Sequence, residues 1–177
     1  MRPAAGRSGW LAALLIAALA AGCASRGPVP GTGDIAFRLT WDGESDLDLY
    51  VVAPDGERID FIHRTGASGG ELDIDCNVTV AAPGADPGAA APVEYRKLRC
   101  PQPIENVYWP KGRAPEGLYR VQVLLADATG ARSEDGYRLD VRLGRRTHRS
   151  FEGKVLALET EPLSIEIAFP VEAEPGP

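Results

Sequence analysis

Beyond residue 33, apolar and polar residues alternate with period two through most of the chain, and that pattern predicts strands. In "DIAFRLTW", Ile35, Phe37, Leu39 and Trp41 share one face. "SDLDLYVV" sets Leu47, Leu49 and Val51 against Asp46 and Asp48, and Pro54, Asp55 and Gly56 predict a turn into "ERIDFIH". "SGGELDIDCNV" alternates again, with Leu72, Ile74 and Cys76 on one side and Glu71, Asp73 and Asp75 on the other. "IENVYW", "LYRVQVLLA", "YRLDVRL", "FEGKVLAL" and "LSIEIAFPV" complete the series. No stretch in the body has a helical period, and the Gly- and Pro-bounded links are too short for a βαβ crossover. The expectation is an all-β domain, an antiparallel β-sandwich of about eight or nine strands, jelly-roll-like or prepeptidase-C-like.

The N-terminus is different. Arg2 and Arg7 precede an apolar run from Trp10 to Ala21 that is too short to span a bilayer as a mature helix, which predicts a signal peptide over residues 1–22. It ends in "LAAGC", which resembles a bacterial lipoprotein signal, with Cys23 as the acylated new N-terminus. The alternative is an ordinary cleavage site with an incidental cysteine. Lipidation implies the bacterial cell envelope and, with Ala24 and Ser25 rather than Asp after the cysteine, the outer membrane, the body facing periplasm or surface. Residues 23–33 are rich in Gly, Pro and small residues and predict a flexible tether; 34–171 form the domain, and 172–177 a disordered tail.

Charge narrows the partners. The net charge is −6, and losing the two signal arginines takes it to −8. An acidic surface argues against nucleic acid and is compatible with divalent cations. Partners are therefore expected to be the membrane, through the anchor, and another envelope protein or polymer.

With Cys23 used by lipid, Cys76 and Cys100 remain as an even pair in an oxidising compartment. They form a disulfide, or else two buried free thiols. The bond would close off residues 77–99, an insertion whose Ala, Pro and Gly middle has no packing pattern.

The crowded acids demand an explanation. Residues two apart on a strand share a face, with Cα atoms roughly 6.5 Å apart, so Asp46 with Asp48 and Asp73 with Asp75 are two convergent pairs. Four carboxylates brought together disfavour one another's charged form unless something offsets the repulsion. Ca²⁺, which takes about 6 to 8 oxygen ligands, fits this residue set. The competing explanation is a solvated acidic face or a blunted edge strand.

Five ordered motifs carry a family resemblance: "LTWDGESDLDLYVVAPDGE", "SGGELDIDCNV", "IENVYWP", "PEGLYRVQV" and "FEGKV". Together they resemble the YfaP-like family of uncharacterised bacterial domains, over residues 37 to about 169. The resemblance implies a β-sandwich in which Asp46, Asp48, Asp73 and Asp75 gather on one side with Glu105 and Asn106; it implies no activity. The chain departs from the family pattern between Asp75 and Ile104, where the cysteine-bounded insertion replaces a short link.

One pattern suggests an enzyme. "GASGG" formally matches a nucleophile elbow at Ser68, although His63 lies too near, on a preceding strand end, to be assigned as its base. An elbow needs a following helix, and here a strand follows. A non-enzymatic envelope module is therefore the expectation, with a secreted hydrolase using a site near Ser68 as the alternative. The basic run "LGRRTHRS", residues 143–150, is expected to be an exposed loop.

Overall fold

The computed structural model describes residues 27–81, 83, 95–126, 134–156 and 164–170. No described residue is helical, and eleven strands pair antiparallel throughout. They are β1 (Ile35–Trp41), β2 (Leu47–Val52), β3 (Arg58–Ile59), β4 (Glu71–Ile74), β5 (Thr79–Ala81), β6 (Tyr95–Lys97), β7 (Ile104–Trp109), β8 (Gly117–Leu125), β9 (Glu134–Leu143), β10 (Arg146–Leu156) and β11 (Ile165–Phe169). A five-stranded sheet, β10-β9-β1-β7-β4, packs on a four-stranded sheet, β11-β8-β2-β3. The fold is an antiparallel β-sandwich.

The period-two alternation sorts the faces as the sequence predicts. Ile35, Phe37 and Leu39 from one sheet meet Leu47, Leu49 and Val51 from the other in a continuous apolar layer. At its centre Trp109 stands edge-on to Tyr119, with ring centroids 5.1 Å apart, and Phe37 packs on both rings. Each polar tip is satisfied: Trp109 Nε1 donates to Ser68 Oγ at 3.1 Å and Tyr119 Oη to the Pro115 carbonyl at 2.8 Å.

The insertion is better ordered at its base than its composition suggests. β5 and β6 form a two-stranded ladder, and Cys76 and Cys100 are disulfide-bonded beneath it. Asn77, at φ 65°, seats this base: its Oδ1 accepts from Cys100 N, and its Nδ2 donates to Ser45 O at 2.9 Å.

Three expectations need revision. "ERIDFIH" pairs as a strand only at Arg58 and Ile59, because the Asp60 carboxylate accepts from the backbone of Ile62 and His63 and turns the chain away. The basic run at 143–150 is a hairpin rather than a loop, with Gly144 at φ 57° leading a two-residue turn and Arg146 to Ser150 lying in β10. Residues 31–33, expected within the tether, are tied down: Gly31 N donates to Asp73 Oδ2, and Gly33 O accepts from Gly144 N. A Cβ on Gly33 would stand 1.8 Å from the Trp109 carbonyl oxygen, so the backbone can lie there only as glycine.

Cys23, the signal segment and the tail lie outside the described residues.

Candidate functional site

The acids occupy the edge of the sandwich bounded by β3 and β4. β3 is only two residues long and pairs with Val51 and Val52 alone. Ala53 N points to that edge, donating to Glu57 O, and period two aims Leu49 N the same way. β3 has already turned off at that level. Glu105, projecting inward from β7 in the opposite sheet, fills the gap: its Oε2 accepts from Leu49 N at 2.7 Å. Its side chain is among the largest wholly enclosed ones, with the residue only 1% exposed.

Asp48 from β2 and Asp75 just past β4 act on Glu105, and Asp46, just before β2, acts on Asp48. Asp48 is 9% exposed, and its carboxyl is pushed up to about 7, first by burial and then by the charges of Asp46, Asp75 and Asp60. Glu105 is pushed well above the usual carboxylate range, again by burial first, then by Asp48 and Asp75, with the Leu49 N–H opposing. Each group therefore resists ionisation because its neighbours are anionic and water is excluded. Glu105 and Asp75 lie close enough to share a hydrogen bond when one is protonated. When both are carboxylates there is no hydrogen between them, and Glu105 Oε1 and Asp75 Oδ1 are buried without a donor. The phenol of Tyr50, next to Asp48 and Asp60, is pushed up to about 12 by burial and those same charges.

Two arginines brace the rim. Arg64 Nη1 donates to Asp75 Oδ2 at 2.6 Å, and the Arg58 guanidinium forms an ion pair with the Asp60 carboxylate, Nε to Oδ2 at 2.5 Å. Asp60 is wholly buried and also accepts from two backbone amides and faces His63 Nδ1. The sequence pattern did not mark Asp60, because nothing in "ERIDFIH" distinguishes a turn-forming aspartate from a strand residue. Asp135, on β9, is buried and bonded to Ser45 Oγ, and the sequence pattern did not mark it either.

The predicted six-residue set splits in two. Asp46, Asp48, Asp75 and Glu105 come together; Asp73 and Asn106 do not join them. On β7, Glu105 faces inward, so its neighbour Asn106 must face outward, where its Nδ2 donates to Asp73 Oδ1 at 2.8 Å and its Oδ1 accepts from Arg38 Nε. Asp73 and Asp75 would share a face on a regular strand. Alternation holds through β4, with Leu72 and Ile74 in the core and Asp73 on the outer face, but the pairing shifts between Leu72 and Ile74 and ends at Ile74, so Asp75 lies past the ladder and reaches the edge. Asp73 and Asn106 instead hold Gly31, from its N and its O respectively. Among the described residues, no group of three or more His, Cys, Asp or Glu side chains is already arranged to hold a metal ion.

Ser68 is engaged in packing. Its Oγ donates to Glu57 Oε2 at 2.7 Å and accepts from Trp109, while His63 Nδ1 faces Asp60. Ser68 and His63 thus have different partners. Glu57 also accepts from Ala67 N and Ser68 N and so shapes the glycine-rich loop; the Ser68 hydroxyl, first among its partners, draws its carboxyl below the usual range.

Compared with protein-family models, curated proteins and solved structures, the chain matches none.

Proposed function

We propose that this protein is a non-enzymatic β-sandwich module, held on the bacterial envelope by a lipid on Cys23, whose β3–β4 edge binds a hard divalent cation, Ca²⁺ in the first instance. In this proposal it is related to the YfaP-like domains and works as an interaction or accessory module at the outer membrane. The observation that carries the cation is the pair of donor-less buried oxygens, Glu105 Oε1 and Asp75 Oδ1, next to Asp48 and Asp46. Four carboxyl groups crowded at a buried edge are costly to ionise, and a dication removes that cost while accepting oxygens that lack donors. The side chains are near one another without surrounding a point, so binding would draw them together by rotation. Backbone carbonyls and water would complete the shell.

Calorimetric titration of the metal-free protein with Ca²⁺ at pH 8 tests this. Binding is expected in the unaltered protein and in Asp73→Asn, and is expected to be lost in Asp48→Asn and Glu105→Gln. No heat at millimolar Ca²⁺, or equal loss in Asp73→Asn, would overturn it.

A further inference from the structure

The link from β3 to β4 crosses the edge of the sandwich, passing from one sheet to the other over the acidic cluster, and rejoins the five-stranded sheet where Thr65 bridges Glu71 and Leu72 N donates to Arg64 O. Its tip, "RIDFIHR" from Arg58 to Arg64, sorts its side chains unusually. Phe61 and Ile62 point to solvent at 44% and 64% exposure. The flanking Arg58 and Arg64 side chains are each 45% exposed and His63 59%, whereas the single acid of the segment, Asp60, is completely enclosed. Arg58 and Arg64 are ion-paired to Asp60 and Asp75, whose side chains are 0% and 8% exposed, so in a chain of net charge −6 the tip presents to solvent two arginines, the His63 ring and two large apolar side chains.

The tip is also stiffly presented. Asp60 ties the Ile62 and His63 amides and the Arg58 guanidinium, and Phe61 stands edge-on to Tyr50 with centroids 6.1 Å apart. Arg58 lies over that same Tyr50 ring at 5.4 Å. Two large apolar side chains held out in water by this many contacts are not a frayed loop. Paired with cationic neighbours, they match an amphiphilic surface that is anionic at the top and apolar beneath.

We propose that the tip from Arg58 to Arg64 docks on an anionic phospholipid surface, with Phe61 and Ile62 entering the headgroup layer and Arg58 and Arg64 meeting phosphates. This goes beyond the cation-binding proposal and does not require a bound cation; its argument from reach rests on the Cys23 anchor proposed above. Charge complementarity selects the lipid: juxtamembrane arginines are attracted by anionic leaflets, and the attraction fades within a Debye length. Geometry permits it, since the eight residues from Cys23 to Gly31 span at most roughly 29 Å, which keeps a lipidated chain's domain beside its membrane.

The test uses the full chain reconstituted in vesicles, with Ile62→Trp as a depth probe at an exposed position and the unaltered protein as the spectral reference. The described native tryptophans, Trp41 and Trp109, are buried and contribute a constant background. In vesicles of phosphatidylcholine with one-quarter phosphatidylglycerol, the difference emission is expected to shift blue and to be quenched at least twofold by brominated acyl chains. In pure phosphatidylcholine, or at about 1 M salt, where screening shortens to roughly 3 Å, the quenching should fall by half or more. Adding Phe61→Ser to the probe should also diminish it. Emission that stays water-like in both vesicles overturns the proposal, as does quenching that ignores phosphatidylglycerol, or a shift seen only when a protein fraction of the envelope is added. The cation titration, done without vesicles, is decided separately.

Discussion

Glu105 Oε2 accepts the Leu49 N–H at 2.7 Å, so a buried acid of one sheet completes the hydrogen bonding of a strand in the other. A glutamine can accept the same bond. Glu105→Gln should change stability by less than about 1 kcal/mol, whereas Glu105→Ala leaves a buried N–H unmatched and a cavity, costing about 2 to 4 kcal/mol. Urea unfolding of the two variants separates the structural role of the side chain from its charge.

Without divalent cation, stability should fall as pH rises from about 4 through about 7. Asp48 holds its proton more tightly folded than unfolded, so its contribution is fully present below the ordinary aspartate range and is lost as pH passes the folded value near 7. Glu105 acts in the same direction. The loss from Asp48 alone is at most on the order of 4 kcal/mol. Urea unfolding in chelator at pH 5 and pH 8 measures it; Asp48→Asn should flatten the profile. Saturating Ca²⁺ at pH 8, about 100 times its dissociation constant, should restore roughly 2.7 kcal/mol and raise Tm by about 5 to 10 °C.

Reducing Cys76–Cys100, which closes a 24-residue separation, should cost about 3 kcal/mol by the chain-entropy estimate. It should also loosen the loop holding Ser45 and Asp46, because Asn77 is bonded to both Cys100 and Ser45. Thermal melts with and without reductant, together with Ca²⁺ titration of the Cys76→Ser/Cys100→Ser protein, check both effects.

Gly33→Ala should be among the most damaging single substitutions, costing at least about 3 kcal/mol, since its Cβ meets backbone that cannot move aside. Gly136→Ala, whose Cβ meets nothing nearer than 3.9 Å, is the control and should be tolerated. Denaturant midpoints of the pair decide it.

If Cys23 carries the anchor, Cys23→Ala should move the protein from the membrane to the soluble fraction or leave it as uncleaved precursor. Fractionation followed by mass measurement of the N-terminus distinguishes these results from processed protein that stays on the membrane.

Much of this was legible in the chain. Ile35, Phe37, Leu39 and Trp41, like Leu47, Leu49 and Val51, announce their shared faces because a strand's side chains alternate regardless of what it packs against. The disulfide followed from counting cysteines. The site was legible only in part. Asp48 could be placed from alternation and Glu105 entered only through the family resemblance, while "GGELDIDC" looks like one continuous strand although its pairing ends at Ile74 and so separates Asp73 from Asp75.

The sequence by itself therefore determined the fold class, the inward and outward sides of each regular strand, and the cysteine pairing, all of which depend on local periodicity or count. Tertiary structure alone decided which acids meet. Asp75 joins Glu105 because β4 stops pairing at Ile74 and leaves it past the ladder, and Asp60 is buried where its carboxylate ends β3 by binding the Ile62 and His63 amides. Bulges, short edges and chain crossings arise from the competition between strand pairing and side-chain hydrogen bonds, and that competition is settled only when the partner strands are in place.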